Sequence, residues 1–165
     1  MEIKEVWISS KTHHNQFNEI YKNNSWFRRI LGMYKIPINF PYMNISWSKI
    51  PIVYNSKCSI KISEKYLELK ANNNSGFINN PKNINTKFNK TIRFVDISNI
   101  DRYKNPNPLT KAFNINWISL RFNNGDMEEE FLLCAGGKIM TTISKETNIV
   151  YNYIENRLNT GQNCK

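Results

Sequence analysis

The sequence predicts a mainly β domain of the α+β class, with strands running through most of the chain and one helix closing it. Three observations predict it: period-two alternation from Cys58 onward, the turn sequence Asn123-Asn124-Gly125-Asp126, and apolar side chains recurring from Ile149 to Leu158. Alternation gives a strand one oily face, Asn and Gly accept the positive φ of a tight hairpin, and recurrence every three or four residues makes one stripe on a helix.

Residues 1–45 read as an N-terminal helical and extended extension. Val6, Trp7 and Ile8 form a short apolar cluster, and Phe17, Ile20, Tyr21, Phe27, Ile30 and Leu31 recur at near-helical spacing, which predicts one or two short helices. Pro37, Pro41 and Pro51 then forbid a continuous helix and predict an extended connection.

The domain proper is expected over 46–160, with 161–165 as a tail. Cys58, Ile60 and Ile62 alternate with lysines and serine, and a turn at Glu64-Lys65 leads into Tyr66–Ala71. A polar loop opens at Asn72 and runs to about Lys87; loops of that length in a compact domain are functional or mobile. Strands are expected at 88–94, 99–104, 114–122, 127–135 and 138–143, seven in all with 58–63 and 66–71. For 138–143 the β-branched Thr141, Thr142 and Ile143 favour a strand over an early start to the helix. Ser144 reads as the N-cap and Gly161 as the stop of a helix whose buried stripe is Ile149, Val150, Tyr153, Ile154 and Leu158.

With 165 residues, 40% hydrophobic and 13% aromatic, the chain has material for one domain with a real core and argues against global disorder. Net charge is +10, but it is uneven: +3 over 1–45, +7 over 46–105 and zero over 106–165. The middle third is therefore where a polyanion partner would be sought. Against that stands a compositional origin, since 27 asparagines and 17 lysines beside 6 arginines fit AT-rich coding. Cys58, Cys134 and Cys164 are odd in number and far apart, which fits a reducing compartment. Met1–Glu5 lacks a signal-type apolar core, and Arg28, Arg29 and Lys35 interrupt the only candidate span, so a cytoplasmic protein is expected.

Chemistry is hard to find. His13 and His14 lack a cysteine or carboxylate at zinc-ligand spacing and read as a surface pair; Glu128, Glu129 and Glu130 read as an exposed strand start; Gly136-Gly137-Lys138 reads as a hairpin turn. Cys134 reads as packed. No catalytic residue, metal or cofactor is expected.

The order of seven strands and a closing helix over Cys58–Leu158 resembles the pleckstrin-homology-like (PH-like) superfold, particularly its small bacterial members. Its carriers are the segment Val95-Asp96-Ile97-Ser98-Asn99-Ile100 before a short strand, the Asn124-Gly125 hairpin, and the helix Glu146–Leu158. The resemblance implies a half-open barrel of two antiparallel sheets packed nearly orthogonally, plugged by the C-terminal helix. It also implies binding of phosphoinositides, peptides or proteins, and no enzyme. Lipid-binding members flank a sizeable loop between their first two strands with basic residues. By the strand count above, that loop would be Ser63-Glu64-Lys65, which has no arginine.

Two surfaces remain as candidates. Lys82, Lys87, Lys90 and Arg93, with Phe77 and Phe88 near in sequence, could receive phosphates, against the plainer reading of a merely solvated loop. Trp26, Phe27, Arg28 and Arg29 suit either a helix packed on the domain or an interfacial contact with a partner or a headgroup layer. The expected function is thus a non-enzymatic binding or scaffold module, acting by protein contacts or at the anionic inner membrane surface. The alternative is a basic nucleic-acid-binding protein using the 46–105 surface.

Overall fold

A computed structural model describes residues 1–162 except 32, 38–39, 41, 46–50, 73–87, 108–114 and 136–139. Elements run β1 (Glu2–Ser9), α1 (Lys11–Asn23), α2 (Trp26–Leu31), β2 (Tyr42–Ile45), β3 (Pro51–Tyr54), β4 (Ser56–Ile62), β5 (Tyr66–Ala71), β6 (Lys90–Arg93), β7 (Ile97–Tyr103), β8 (Trp117–Asn124), β9 (Met127–Ala135) and α3 (Met140–Gln162). A single 3-10 turn, Phe94–Asp96, joins β6 to β7. The fold is α+β and mainly β: a seven-stranded sheet of order β6-β5-β4-β1-β9-β8-β7 and a two-stranded sheet β2-β3. Every pair is antiparallel.

The seven strands are not the seven that periodicity picks out. β1 lies in the middle of the sheet, paired with β4 on one side and β9 on the other, so Glu2–Ser9 is not part of an extension. Its Val6, Trp7, Ile8 and Ser9 are all buried because a central strand is covered on both faces, and such a strand reads as a continuous apolar run. Conversely, Met140–Ile143 belong to α3 and not to a strand. Both edges of β9 are already taken, by β1 and β8, so a further hairpin arm after Ala135 has no free edge there. Ser144 consequently lies inside α3, which continues past Gly161.

The sheet curls. β6 and β7 stand at its opposite edges, yet only three residues connect them, so the edges approach each other while remaining unpaired. Lys90 of β6 reaches Glu129 of β9 at 2.7 Å, and the Phe88 ring sits 5.8 Å from that of Phe131 across the same gap. Inside the curl, β1 contributes Val6 and Ile8, β4 Cys58, Ile60 and Ile62, and β8 Ile118, Leu120 and Phe122. α3 covers this core with Val150 and Ile154, flanked by Tyr151, Tyr153 and Leu158; Ile149 points to solvent. Buried Thr147 accepts the Ala135 N–H at 3.0 Å, tying the helix to the end of β9.

The outer face of β1, β8 and β9 carries a second apolar cluster: Trp7, Trp117, Leu132 and Cys134, joined by Tyr54 and Ile115. α1 and β3 lie on it, through His14 and Tyr54. This is where the two-faced alternation of β8 becomes useful, with Trp117 and Ser119 outward and Ile118 and Leu120 inward.

Candidate functional site

The segment between the first two strands of the sheet, β1 and β4, is residues 10–55, far larger than the three residues that periodicity assigned to that connection. Ser10 starts α1 by accepting the His13 N–H at 3.2 Å, and its backbone is extended as an N-cap requires. His14 is fully buried, not a surface residue. Its ring lies 4.5 Å edge-on from Trp117 and 5.6 Å from Tyr103. Nε2 lies 3.4 Å from the Val53 carbonyl, and Nδ1 lies 3.2 Å from Asn105 Nδ2. Because Asn105 Oδ1 already accepts the Asn107 N–H at 2.9 Å, the amide presents its NH2 to the ring. One neutral tautomer satisfies both nitrogens: Nε2–H donates to Val53 and Nδ1 accepts from Asn105. Burial lowers the imidazole pKa from 6.5 to about 4, opposed by the Val53 bond and helped by the charge of His13. His13 itself bonds Asn55 Oδ1 at 2.9 Å.

Downstream, α1 hands the chain to α2 through Asn24. Its side-chain amide donates to the Ile20 carbonyl at 2.7 Å and accepts the Lys35 N–H at 3.3 Å. Arg29 reaches back to the Asn24 carbonyl at 2.7 Å and to the Lys22 carbonyl, and stacks 4.8 Å over Tyr21. A cation at the C-terminal carbonyls of a helix is well placed for the dipole. Phe17, Tyr34 and Phe40 pack beneath at ring separations of 5.4 and 6.1 Å from Phe17.

On this support α2 buries none of its own side chains. Trp26 is 70% exposed, Phe27 57%, Ile30 60% and nearby Met33 61%. Arg28 points to solvent, and among the described residues neither Arg28 nor Lys35 has a carboxylate within ion-pair distance. Trp26 and Phe27 stand exposed with their rings edge-on at 6.0 Å, Arg28 is exposed next in the chain, and Arg29 is spent on bonds to the end of α1. Ile30 was legible as part of the apolar run, whereas Met33, equally exposed, was not read as part of it.

The other candidate is described only in part. Lys82 and Lys87 lie outside the described residues. Lys90 is paired with Glu129, and Arg93 holds Asp96 through two bonds of 2.7 Å. The pair depresses the Asp96 carboxyl, chiefly through the Arg93 bonds, as the Lys90 bond depresses Glu129. Charges so matched present little net field to a polyanion. Asp96 follows Arg93 at i+3 and was readable; Glu129 lies 39 residues from Lys90 and was not.

The glutamate run holds no acid–base pair. Glu128 accepts from Ser98 at 2.8 Å, while Glu130 accepts from Lys11 at 2.6 Å and from Ser119. Burial pushes Glu130 up, but the Lys11 and Ser119 bonds outweigh it and the carboxyl sits below its usual range. Cys58 and Cys134 are buried thiols pushed up to about 11 and about 12 by desolvation, the opposite of nucleophile activation. Among the described residues no group of three or more His, Cys, Asp and Glu side chains is placed to hold a metal, and no helix is long and apolar enough to cross a membrane. The chain matches no protein-family model and no curated protein.

Proposed function

We propose that the protein is a non-enzymatic, PH-like binding module that docks on the anionic inner surface of a membrane through α2. The observation that carries this reading is the exposure of Trp26, Phe27, Ile30 and Met33 in one short segment that also holds Arg28 and Lys35, neither of them ion-paired among the described residues. Aromatic rings with adjacent cations suit the headgroup boundary, where rings enter and charges meet lipid phosphates. Each buried ring contributes about 1.5–3 kcal/mol and each basic residue near an anionic leaflet about 1 kcal/mol, enough together for reversible attachment.

The PH-like assignment is supported by the arrangement of the strands. β1, β4, β5 and β6 form one meander and β7, β8 and β9 another, joined side by side through β1 and β9, and the terminal helix lies over the curled sheet. Lipid-binding members of that superfold place basic residues around the connection between the first two strands, and here that connection contains α2.

The test is vesicle flotation with phosphatidylcholine alone and with added phosphatidylserine. The intact protein should float with the anionic vesicles, less so as salt rises. Trp26→Ala/Phe27→Ala and Arg28→Glu should each abolish flotation with unchanged melting. Equal flotation of the double variant removes α2 from the reading. Retention on single- or double-stranded DNA without vesicle binding would transfer the function to the nucleic-acid alternative.

A further inference from the structure

A recess lies on different elements from the α2 surface and stands independently of any membrane contact. The β4–β5 turn, the Phe94–Asp96 turn and the last turns of α3 enclose a cleft of about 610 Å³. That volume falls within the range of about 300–1,000 Å³ usual for small-molecule sites. Its lining is chiefly apolar and includes Tyr66, Phe94 and Val95. Val95 is 83% exposed, the most of any large apolar side chain described.

The rim is charged. Arg93 is neutralised by Asp96, but among the described residues no carboxylate lies within ion-pair distance of Lys65 or Arg157. Arg157, part of the lining, donates to the Tyr153 hydroxyl at 3.4 Å with the ring centre 5.6 Å away. Among the described residues, Glu64 is the one acidic side chain in the lining. Two cations against one carboxylate leave a single positive charge, the complement of a monoanion.

The backbone around the cleft is already engaged. Tyr66 pairs with Arg93, the Phe94 N–H donates to the Lys65 carbonyl at 3.0 Å, and the Ser63 N–H donates to the Tyr66 carbonyl at 3.0 Å. Those backbone groups are unavailable to a ligand, so the side chains of the lining are what would hold one.

We propose that this cleft binds a small amphipathic monoanion, a single-chain carboxylate whose apolar body lies against Tyr66, Phe94 and Val95 and whose head meets Lys65 and Arg157. The probe is octanoate, titrated into the full chain and followed by amide NMR, with octan-1-ol as the uncharged comparator. Octanoate should shift the amides of Tyr66, Phe94 and Val95 saturably, and octan-1-ol should bind about tenfold more weakly. Val95→Asp, at an exposed position that leaves folding intact, should weaken octanoate by at least about tenfold. Lys65→Gln/Arg157→Gln should erase the preference for octanoate over octan-1-ol. The proposal is overturned by no saturable shift at these amides up to millimolar octanoate, by undiminished affinity in Val95→Asp, or by equal binding of the two probes to the unaltered protein.

Discussion

Acidification should loosen this protein through one side chain. His14 is buried against Trp117 and Tyr103 with both nitrogens committed, and its pKa falls from 6.5 to about 4 on folding. Between those values the unfolded chain takes up a proton that the folded chain refuses, so stability falls as pH falls and is flat above about 7. From the linkage relation, the loss is about 2 kcal/mol by pH 5 and about 3 kcal/mol by pH 4. Protonation at Nδ1 would set an N–H against the Asn105 NH2, whose orientation the Asn107 N–H holds fixed. With a denaturant slope of about 2 kcal/mol per molar, the urea midpoint should drop by about 1 M between pH 7.5 and pH 5. Tryptophan fluorescence reports it, because Trp7 and Trp117 are both buried. His14→Gln carries no titrating group; it should be less stable at pH 7.5 and nearly insensitive to pH over the same interval. The carboxylates held low by Lys90, Lys11 and Arg93 titrate below that interval, so they do not obscure the comparison. If the intact protein and His14→Gln lose the same stability from pH 7.5 to 5, His14 is not the buried neutral anchor described here.

Three further outcomes follow from named contacts. Ile154 is fully buried under the curled sheet, so Ile154→Asp strands an unpaired charge and should cost about 4 kcal/mol or more, abolishing cooperative melting; an unchanged melting temperature would contradict the placement of α3. Gly125 has φ +64° with open space around a would-be Cβ, so Gly125→Ala should cost about 1–2 kcal/mol from backbone strain alone, seen as a melting temperature several degrees lower, and Gly125→Asn should cost less. The Lys90–Glu129 pair is only a quarter exposed at both ends, so Lys90→Ala should cost about 1 kcal/mol at pH 7 in urea unfolding, a deficit that fades as pH drops below about 4 and Glu129 protonates in the unfolded chain first.

The elements that were legible in sequence are those whose pattern is local. Trp117–Ala135 declares itself because alternation runs into a Gly125 turn, and α3 because Val150, Ile154 and Leu158 recur every four residues. β1 was hidden because burial on both faces erases alternation, while Glu2, Lys4 and Glu5 make the strand's first half look like solvent-exposed chain. Thr141–Ile143 misled for the complementary reason: β-branching argues for a strand, but strand formation needs a free edge, and which edges are free is a property of the whole sheet. The site divides in the same way. The aromatic and basic character of 26–29 was readable, whereas the diversion of Arg29 to backbone carbonyls and of Lys90 to Glu129 depended on how distant segments meet.

That diversion bears on why the α2 surface stays open. The aromatic platform of Phe17, Tyr21, Tyr34 and Phe40 lies next to α2, and apolar rings left to themselves would collapse onto it. Arg29 occupies that approach instead, stacked on Tyr21 and bonded to the end of α1, and with six residues in α2 its anchoring fixes which way Trp26 and Phe27 face. The two neighbouring arginines therefore do opposite work: Arg29 is turned inward to set the orientation, and Arg28 is left outward with its charge unmatched. The brace itself stands on α1, which His14 anchors to the outer face of the sheet. The outward rings, the stacked arginine and the buried neutral histidine thus form one line of support from the sheet to the surface.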